Sequence, residues 1–190
     1  MKIYLIRHGQ TDWNVQGRIQ GRENVPLSEE GIGQADSAGR TLRGLKLAEI
    51  WSSPLSRAVD TAEGIAKYIP VPIFTDVRLT ERDFGEVSGR RVDIFNPGEN
   101  AKGMEPLDDV STRMISAITE CAAKAGGDFA VVSHGGAINA VLRTVSCGEI
   151  GSGKTRLKNT GICVFSWDGE TLELLDHNLS PEEFRDKYLD

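Results

Sequence analysis

Short apolar runs alternate with stretches of helical period along almost the whole chain, and this alternation constrains the fold more than any other feature. Residues 2–6 (Lys-Ile-Tyr-Leu-Ile) are too few for a helix and suit a buried strand. Ser28 then predicts a helix N-cap, with Glu29 and Glu30 at the positive end and Ile32, Ala35, Ala38, Leu42 and Leu45 on one face. Further strands are expected at 49–52, 73–75 and 129–133. Further helices are expected at 56–68, with Ala58, Ala62, Ile65 and Ile69 inward, and at 107–125, marked by Val110, Met114, Ile118 and Cys121 and ended by Gly126-Gly127. Gly135-Gly136 opens another, to residue 145. Asp168-Gly169, between strands at 161–167 and 171–176, is a two-residue hairpin signal, and Ser180-Pro181-Glu182 starts a last short helix. Residues 9–26 and 76–105 read as loops. Strands alternating with helices predict one α/β domain over 1–190, a three-layer α/β/α sandwich with a mostly parallel central sheet.

In such sheets, sites form beyond the carboxyl ends of the strands. Arg7, His8 and Gly9 follow the first strand, and Ser53 to Arg57 the second. Arg78, Glu81 and Arg82 follow the third, and His134, Gly135 and Gly136 the fourth. Two histidines, at least two arginines and a glutamate are thus delivered to one edge. That set fits phosphoryl transfer, which needs cations for the phosphoryl oxygens, an in-line nucleophile and an acid for the leaving oxygen. Arginine suits the clamp because its planar fork is always charged. Neutral imidazole is a competent nucleophile near pH 7, so His8 is the candidate nucleophile and Arg7 its anion holder. A carboxyl such as Glu81 can protonate the leaving alkoxide and then deprotonate water. Two arginines balance a dianion, and no H-x-H, H-E-x-x-H or Asp-rich spacing calls for a metal. Neither metal nor cofactor is expected.

Composition narrows the partners. Net charge is −6, with 13 Lys/Arg and 13 Asp/Glu in residues 1–95 against 9 and 15 in 96–190. This argues against a nucleic-acid surface, so an anion has to be bound by a local pocket and not by the overall field. No apolar run approaches the roughly 20 residues that span a bilayer. The first apolar run is also too short for a signal peptide, which makes the cytoplasm the expected location. Cys121, Cys147 and Cys163 are odd in number and lack close spacing, as expected of reduced thiols. The expected partner is a small-molecule phosphomonoester, with no nucleic acid or membrane, and the state is monomer or homodimer.

The run Leu5-Ile6-Arg7-His8-Gly9-Gln10-Thr11 resembles the signature of the histidine phosphatase superfamily, also called phosphoglycerate mutase-like. The resemblance continues through Trp13-Asn14, Gly17-Arg18, Gln20-Gly21, Pro26-Leu27-Ser28, Gly31 and Gln34-Ala35. It resumes at Ser52 to Ala58, Thr61-Ala62, Leu79 to Gly85, Val131 to Gly136 and Asn159-Thr160-Gly161. The blocks keep the family's order over nearly the whole chain. The resemblance implies that His8 is phosphorylated and that Arg7, Arg57 and His134 bind the phosphoryl oxygens. It also implies that Asn14 is a neutral donor, that Gln20, Gly21 and Gly135 lie near the substrate, and that Glu81 is the acid/base. Glu86 is near enough in sequence to rival Glu81; register with the family selects Glu81.

Only 53 positions separate Glu81 from His134. Mutases of the family carry a longer insertion there, which encloses the substrate. A short lid at 82–105 admits water to phospho-His8 and favours hydrolysis, with a cofactor-dependent phosphoglycerate mutase as the alternative. The Phe84-Gly85-Glu86-Val87-Ser88-Gly89 block lacks the tryptophan common in the phosphatases, and Glu81-Arg82 is similar to the mutase branch. Arg82, with Arg90-Arg91, suggests a substrate with a second anionic group. Phosphoserine, ribazole phosphate, phosphoglycerates and sugar phosphates all fit this reading. Arg18, Arg22 and Arg40 are expected to be solvated or paired, Trp13 to pack its loop, Glu105 to act as a helix N-terminal charge, and His177 to have no role.

Residues 148–155 (Gly-Glu-Ile-Gly-Ser-Gly-Lys-Thr) satisfy G-x-x-x-x-G-K-[ST], the pattern of a nucleotide-binding P-loop. A P-loop needs a strand before it and a helix after it. Here a helix precedes, and five residues separate Thr155 from the next strand entry. The segment is therefore expected to be a surface loop.

Overall fold

The computed structural model describes residues 1–92 and 101–189. Six strands form one sheet in the order β3-β2-β4-β1-β5-β6. They are β1 (Lys2–Arg7), β2 (Glu49–Ser52), β3 (Ile73–Thr75), β4 (Phe129–Ser133), β5 (Ile162–Trp167) and β6 (Leu172–Leu179). β1 to β4 are mutually parallel, and β5 runs antiparallel to both β1 and β6.

Side-chain alternation along the strands feeds two cores. Ile3, Leu5, Phe129, Val131, Cys163 and Phe165 face α4 (Leu107–Lys124) and α5 (Gly135–Val145), which contribute Met114, Ile118, Ile138 and Val141. Tyr4, Ile6, Ile50, Ala130, Val132 and Val164 face the opposite layer. That layer holds α2 (Glu29–Thr41), α3 (Ser56–Ala66) and α6 (Pro181–Tyr188), which contribute Ala38, Ala62, Ile65 and Phe184. The result is the three-layer sandwich with a mostly parallel sheet.

Four local expectations change. The loop at 9–26 contains α1 (Asp12–Val15), because Thr11 and Asn14 form a reciprocal capping box. Ile32 is 56% exposed. The contact stripe of α2 is Gly31, Ala35, Ala38, Gly39 and Leu42, and Ile32 lies about 75° from its centre. This stripe packs so tightly on α3 that a Cβ on Gly39 would come 2.6 Å from the Gly64 carbonyl oxygen. The hairpin loop has four residues, since Trp167 pairs with Leu172; the Asp168 carboxylate accepts the N–H groups of Glu170 and Thr171. Finally, α4 stops before its glycines, with Ala125 already extended.

Of the segment at 82–105, residues 93–100 fall outside the described residues. Its first part is laddered to the loop after α1: Gly89 N–H donates to Ile19, Ile19 N–H to Arg90, and Val92 N–H to Gly17. Among the described residues, no helix is long and apolar enough to cross a membrane. Cys121 and Cys163 are buried and Cys147 is exposed, all as free thiols.

Candidate active site

Strand register explains why distant residues meet. Arg7 lies level with Ser133, and Ser52 with Val132, so residues 8, 134 and 53 leave three adjacent parallel strands side by side. The His8 and His134 rings lie 5.2 Å apart between centroids. Beyond them is a cavity of about 410 Å³, lined by Arg7, His8, Asn14, Gln20, Gly21, Arg57, Glu81 and Gly135 among others. That volume suits a small metabolite.

Each side chain has a defined anchor. His8 is buried, and its Nδ1 lies 2.6 Å from the Gly9 carbonyl oxygen. A carbonyl only accepts, so Nδ1 carries the proton and Nε2 keeps its lone pair. Burial, reinforced by the charges of Arg7 and Arg57, holds the His8 pKa well below the usual histidine range against the opposing pull of the Gly9 hydrogen bond. The ring is therefore neutral at pH 7, with a lone pair free on Nε2. Gly9 is required here for packing, because a Cβ would lie 2.6 Å from the Gly31 carbonyl oxygen at the start of α2.

Arg7 donates to the Leu157 carbonyl at 2.6 Å. Arg57, in the first turn of α3, is fully buried and donates to the carbonyls of Glu23 and Gly21 at 2.6 and 2.9 Å. Burial lowers the Arg57 pKa to about 10, with Glu81 opposing and Arg7 adding to the fall, and the group stays charged at neutral pH. His134 is buried at the N-cap of α5 with its Nε2 2.7 Å from the Ser53 hydroxyl. Burial and the nearby charges of Arg57, His8 and Arg7 depress its pKa strongly. The Asn14 Oδ1 accepts the Thr11 N–H and faces Asn159 Nδ2 at 3.4 Å, which leaves the Asn14 amino group as its remaining donor.

Glu81 caps α5. Its carboxylate accepts the N–H groups of Gly136 at 2.9 Å, Ala137 at 2.7 Å and Arg82 at 2.7 Å. A Cβ on Gly136 would lie 2.6 Å from Glu81 Oε1, so this approach needs glycine. The loop carrying Glu81 is held from behind by Arg113 of α4, which donates to the carbonyls of Arg78, Thr80 and Glu81 and to both carboxylate oxygens of Glu105. Glu105 is thus a structural anchor as well as a charge near a helix start. Burial raises its pKa, but Arg113, the Asp83 N–H and Arg22 outweigh that and leave it below its ordinary value.

Among the described residues, the buried side-chain polar atoms without a partner are Arg7 Nε, Gln20 Oε1, Arg57 Nε, His134 Nδ1 and Asn139 Oδ1. Four of these residues line the cavity, and the fifth, His134, packs beside it. Buried polar groups are rarely left unpaired, so their clustering here marks a polar ligand site.

Other candidates fall elsewhere. Arg78 pairs with Asp76 and Glu120 at 2.6 and 2.8 Å, away from the cavity. Arg82 donates Nε to the Glu105 carbonyl and lines an adjoining cavity with Phe84, Leu107, Asn139 and Ser152. Glu86 and Arg90 are exposed and line neither cavity. Arg22 and Arg40 are ion-paired.

The sequence reading missed Arg18, Asn139, Thr155 and Arg156, all of which line the main cavity. The loop at 148–155 is correspondingly a cavity wall, contributing Gly153 and Thr155, and not a remote surface loop. Its position follows from the antiparallel pairing of β5, which starts level with the end of β1, so the chain entering β5 passes the site. The P-loop context is absent: α5 precedes the loop, and Lys154 Nζ turns back to the Gly148 carbonyl.

Residues 3–180 match the family model described as histidine phosphatase superfamily (branch 1). The chain is 31% identical over 182 residues, 94% of each chain, to the Bacillus subtilis protein named uncharacterized phosphatase PhoE. It is 33% identical over 160 residues, 76% of this chain and 74% of the other, to a Proteus mirabilis protein named probable phosphoglycerate mutase GpmB. It superposes with a TM-score of 0.82 and 27% identity on a phosphoserine phosphatase from Entamoeba histolytica, solved in complex with phosphoserine, covering 96% of this chain and 98% of that one.

Proposed function

The chain belongs to the histidine phosphatase superfamily, and from that premise we propose that it is a metal-independent phosphomonoesterase that hydrolyses a small phosphorylated metabolite through phospho-His8. The observation that carries the reading is the contact of His8 Nδ1 with the Gly9 carbonyl oxygen: it takes the Nδ1 proton and leaves Nε2 as nucleophile at a cavity lined by Arg7 and Arg57.

In the first step His8 Nε2 attacks phosphorus and the P–O bond to the leaving group breaks. Arg7 and Arg57 neutralise the equatorial oxygens, the role a divalent metal fills in other phosphoryl-transfer sites. Their orientation comes from backbone carbonyls and needs no acidic partner. His134 and the Asn14 amino group complete the oxygen contacts, and Gln20, Gly21 and Gly135 form the walls nearest them. Glu81, in its protonated form, gives its proton to the departing alkoxide. In the second step water attacks phospho-His8, Glu81 takes the water proton, the N–P bond breaks and inorganic phosphate leaves. Hydrolysis over return transfer is supported by the short chain between Glu81 and α4 and by the phosphatase relatives. Relatives named mutases keep phosphoglycerate mutase as the second reading.

The test is a panel of phosphomonoesters compared by kcat/KM, including 3-phosphoglycerate with and without 2,3-bisphosphoglycerate. Phosphate release with an acid-labile phosphoenzyme, lost in His8→Ala and insensitive to EDTA, is expected. Turnover surviving in His8→Ala, strong EDTA inhibition, or isomerisation outpacing phosphate release would overturn it.

A further inference from the structure

The main cavity holds more positive charge than a phosphoryl group uses. Among the described residues, Arg7, Arg18, Arg57 and Arg156 line it against the single carboxylate of Glu81. Four guanidiniums less one carboxylate leave three positive charges, one beyond a phosphoryl dianion, in a chain whose net charge is −6.

The two extra arginines are not accounted for by the fold. Arg18 is half-buried and held in place: its guanidinium carbon lies 4.0 Å from the Trp13 ring centroid, and its Nε donates to the Gly89 carbonyl at 2.8 Å. Stacking plus one fixed bond pre-orients the fork and leaves its terminal nitrogens without a carboxylate among the described residues. Arg156 is exposed at the rim, and its side chain has no hydrogen bond or ion pair among the described residues. It lies near enough to Arg7 that its charge helps depress the Arg7 pKa, after burial and against Glu81. Arg82, by contrast, is committed to the Glu105 carbonyl over the neighbouring cavity.

We propose that Arg18 and Arg156 form a subsite for a second anionic group on the leaving-group portion of the substrate, a carboxylate or a second phosphate. The inference rests on the phosphatase reading and adds the substrate class: small phosphomonoesters with an anionic tail. Arg18 is the fixed half of the clamp and Arg156 the adjustable half. The subsite contributes orientation, and the chemistry stays with His8 and Glu81.

The test uses matched pairs. 3-Phosphoglycerate and glycerol 3-phosphate differ in having a carboxylate or a hydroxymethyl group; fructose 1,6-bisphosphate and fructose 6-phosphate differ in the second phosphate. The wild-type protein should prefer at least one anionic member by about tenfold or more in kcat/KM, as expected for charge-assisted hydrogen bonds. The pair that shows the preference identifies which anion is used. Arg156→Gln, at an exposed position that leaves folding untouched, and Arg18→Gln should each erase most of that preference. Turnover of the tail-less member should stay within about twofold. Equal losses on both members, or no preference in the wild type, overturn the subsite. The same pairs are titrated by calorimetry into His8→Ala, which reads the preference without turnover. Absent hydrolysis of every ester with the binding preference intact would sink the phosphatase reading and leave the subsite standing.

Discussion

Replacing Arg113 by Met tests whether the Glu81 carboxyl, the proposed acid, is held in place from behind. The side chains of Arg113 and Glu105 are 16% and 14% exposed, and Arg113 serves three loop carbonyls besides Glu105. Removing one member of such a pair typically costs about 3–5 kcal/mol, and Arg22, 3.3 Å from Glu105, together with the Asp83 N–H, brings the expected loss to about 3 kcal/mol. For a chain of this size that lowers Tm by about 6–12 °C. The kinetic signature is more specific. Alkyl esters need an acid at the leaving oxygen, whereas nitrophenyl phosphate needs little. If Arg113 positions Glu81, the variant should lose about tenfold in kcat on an alkyl ester and much less on the nitrophenyl ester. Arg113→Lys, which cannot span the same acceptors, should recover only part. Melting curves and the ratio of the two kcat values check both parts. A destabilised variant whose ratio is unchanged would refute the positioning argument and leave a structural role alone.

Three other outcomes are expected. Gly136→Ala places a methyl carbon against Glu81 Oε1 and should lower kcat by about 10²-fold or more while the protein still folds. His8 and His134 have depressed folded-state pKa values, so the unfolded chain binds protons first as pH falls through about 6.5. Stability should then drop with falling pH, by up to about 1.4 kcal/mol per unit for each histidine, and be flat above neutrality. A denaturant series in which His8→Asn shows the same slope below pH 6.5 would contradict this assignment for His8. Lys154→Ala should leave ATP binding undetectable and unchanged by equilibrium dialysis; ATP binding lost on that substitution would revive the P-loop reading.

The strands and large helices were legible because periodicity is local. Val110, Met114, Ile118 and Cys121 mark the buried face of α4 without knowledge of what covers it. The strand-end rule brought His8, Arg57 and Glu81 to one cavity, with His134 beside it, for the same reason: parallel strands in register deliver their next residues together. It failed for Arg78, which follows a strand but finds Asp76 two residues away. Ile32 failed because α2 packs by small residues and not by its largest apolar ones. Arg18 and Arg156 were unreadable for a different cause. Their placement depends on a ladder between loops some 70 residues apart and on the direction of β5, neither of which is encoded near them.

The ladder that ties residues 17–19 to 89–92 has a consequence for how this enzyme can diversify. It and the segment entering β5 furnish Arg18, Ile19, Val92, Thr155 and Arg156, and none of these belongs to a strand or long helix. The candidate reacting groups, by contrast, are set by the sheet edge and the starts of α3 and α5. Much of the cavity wall and the candidate reacting groups therefore reside on separately mutable pieces of chain. Exchanges among the wall residues can reshape the cavity without disturbing the sheet, so a lineage can change its diet while the groups at the sheet edge are inherited intact.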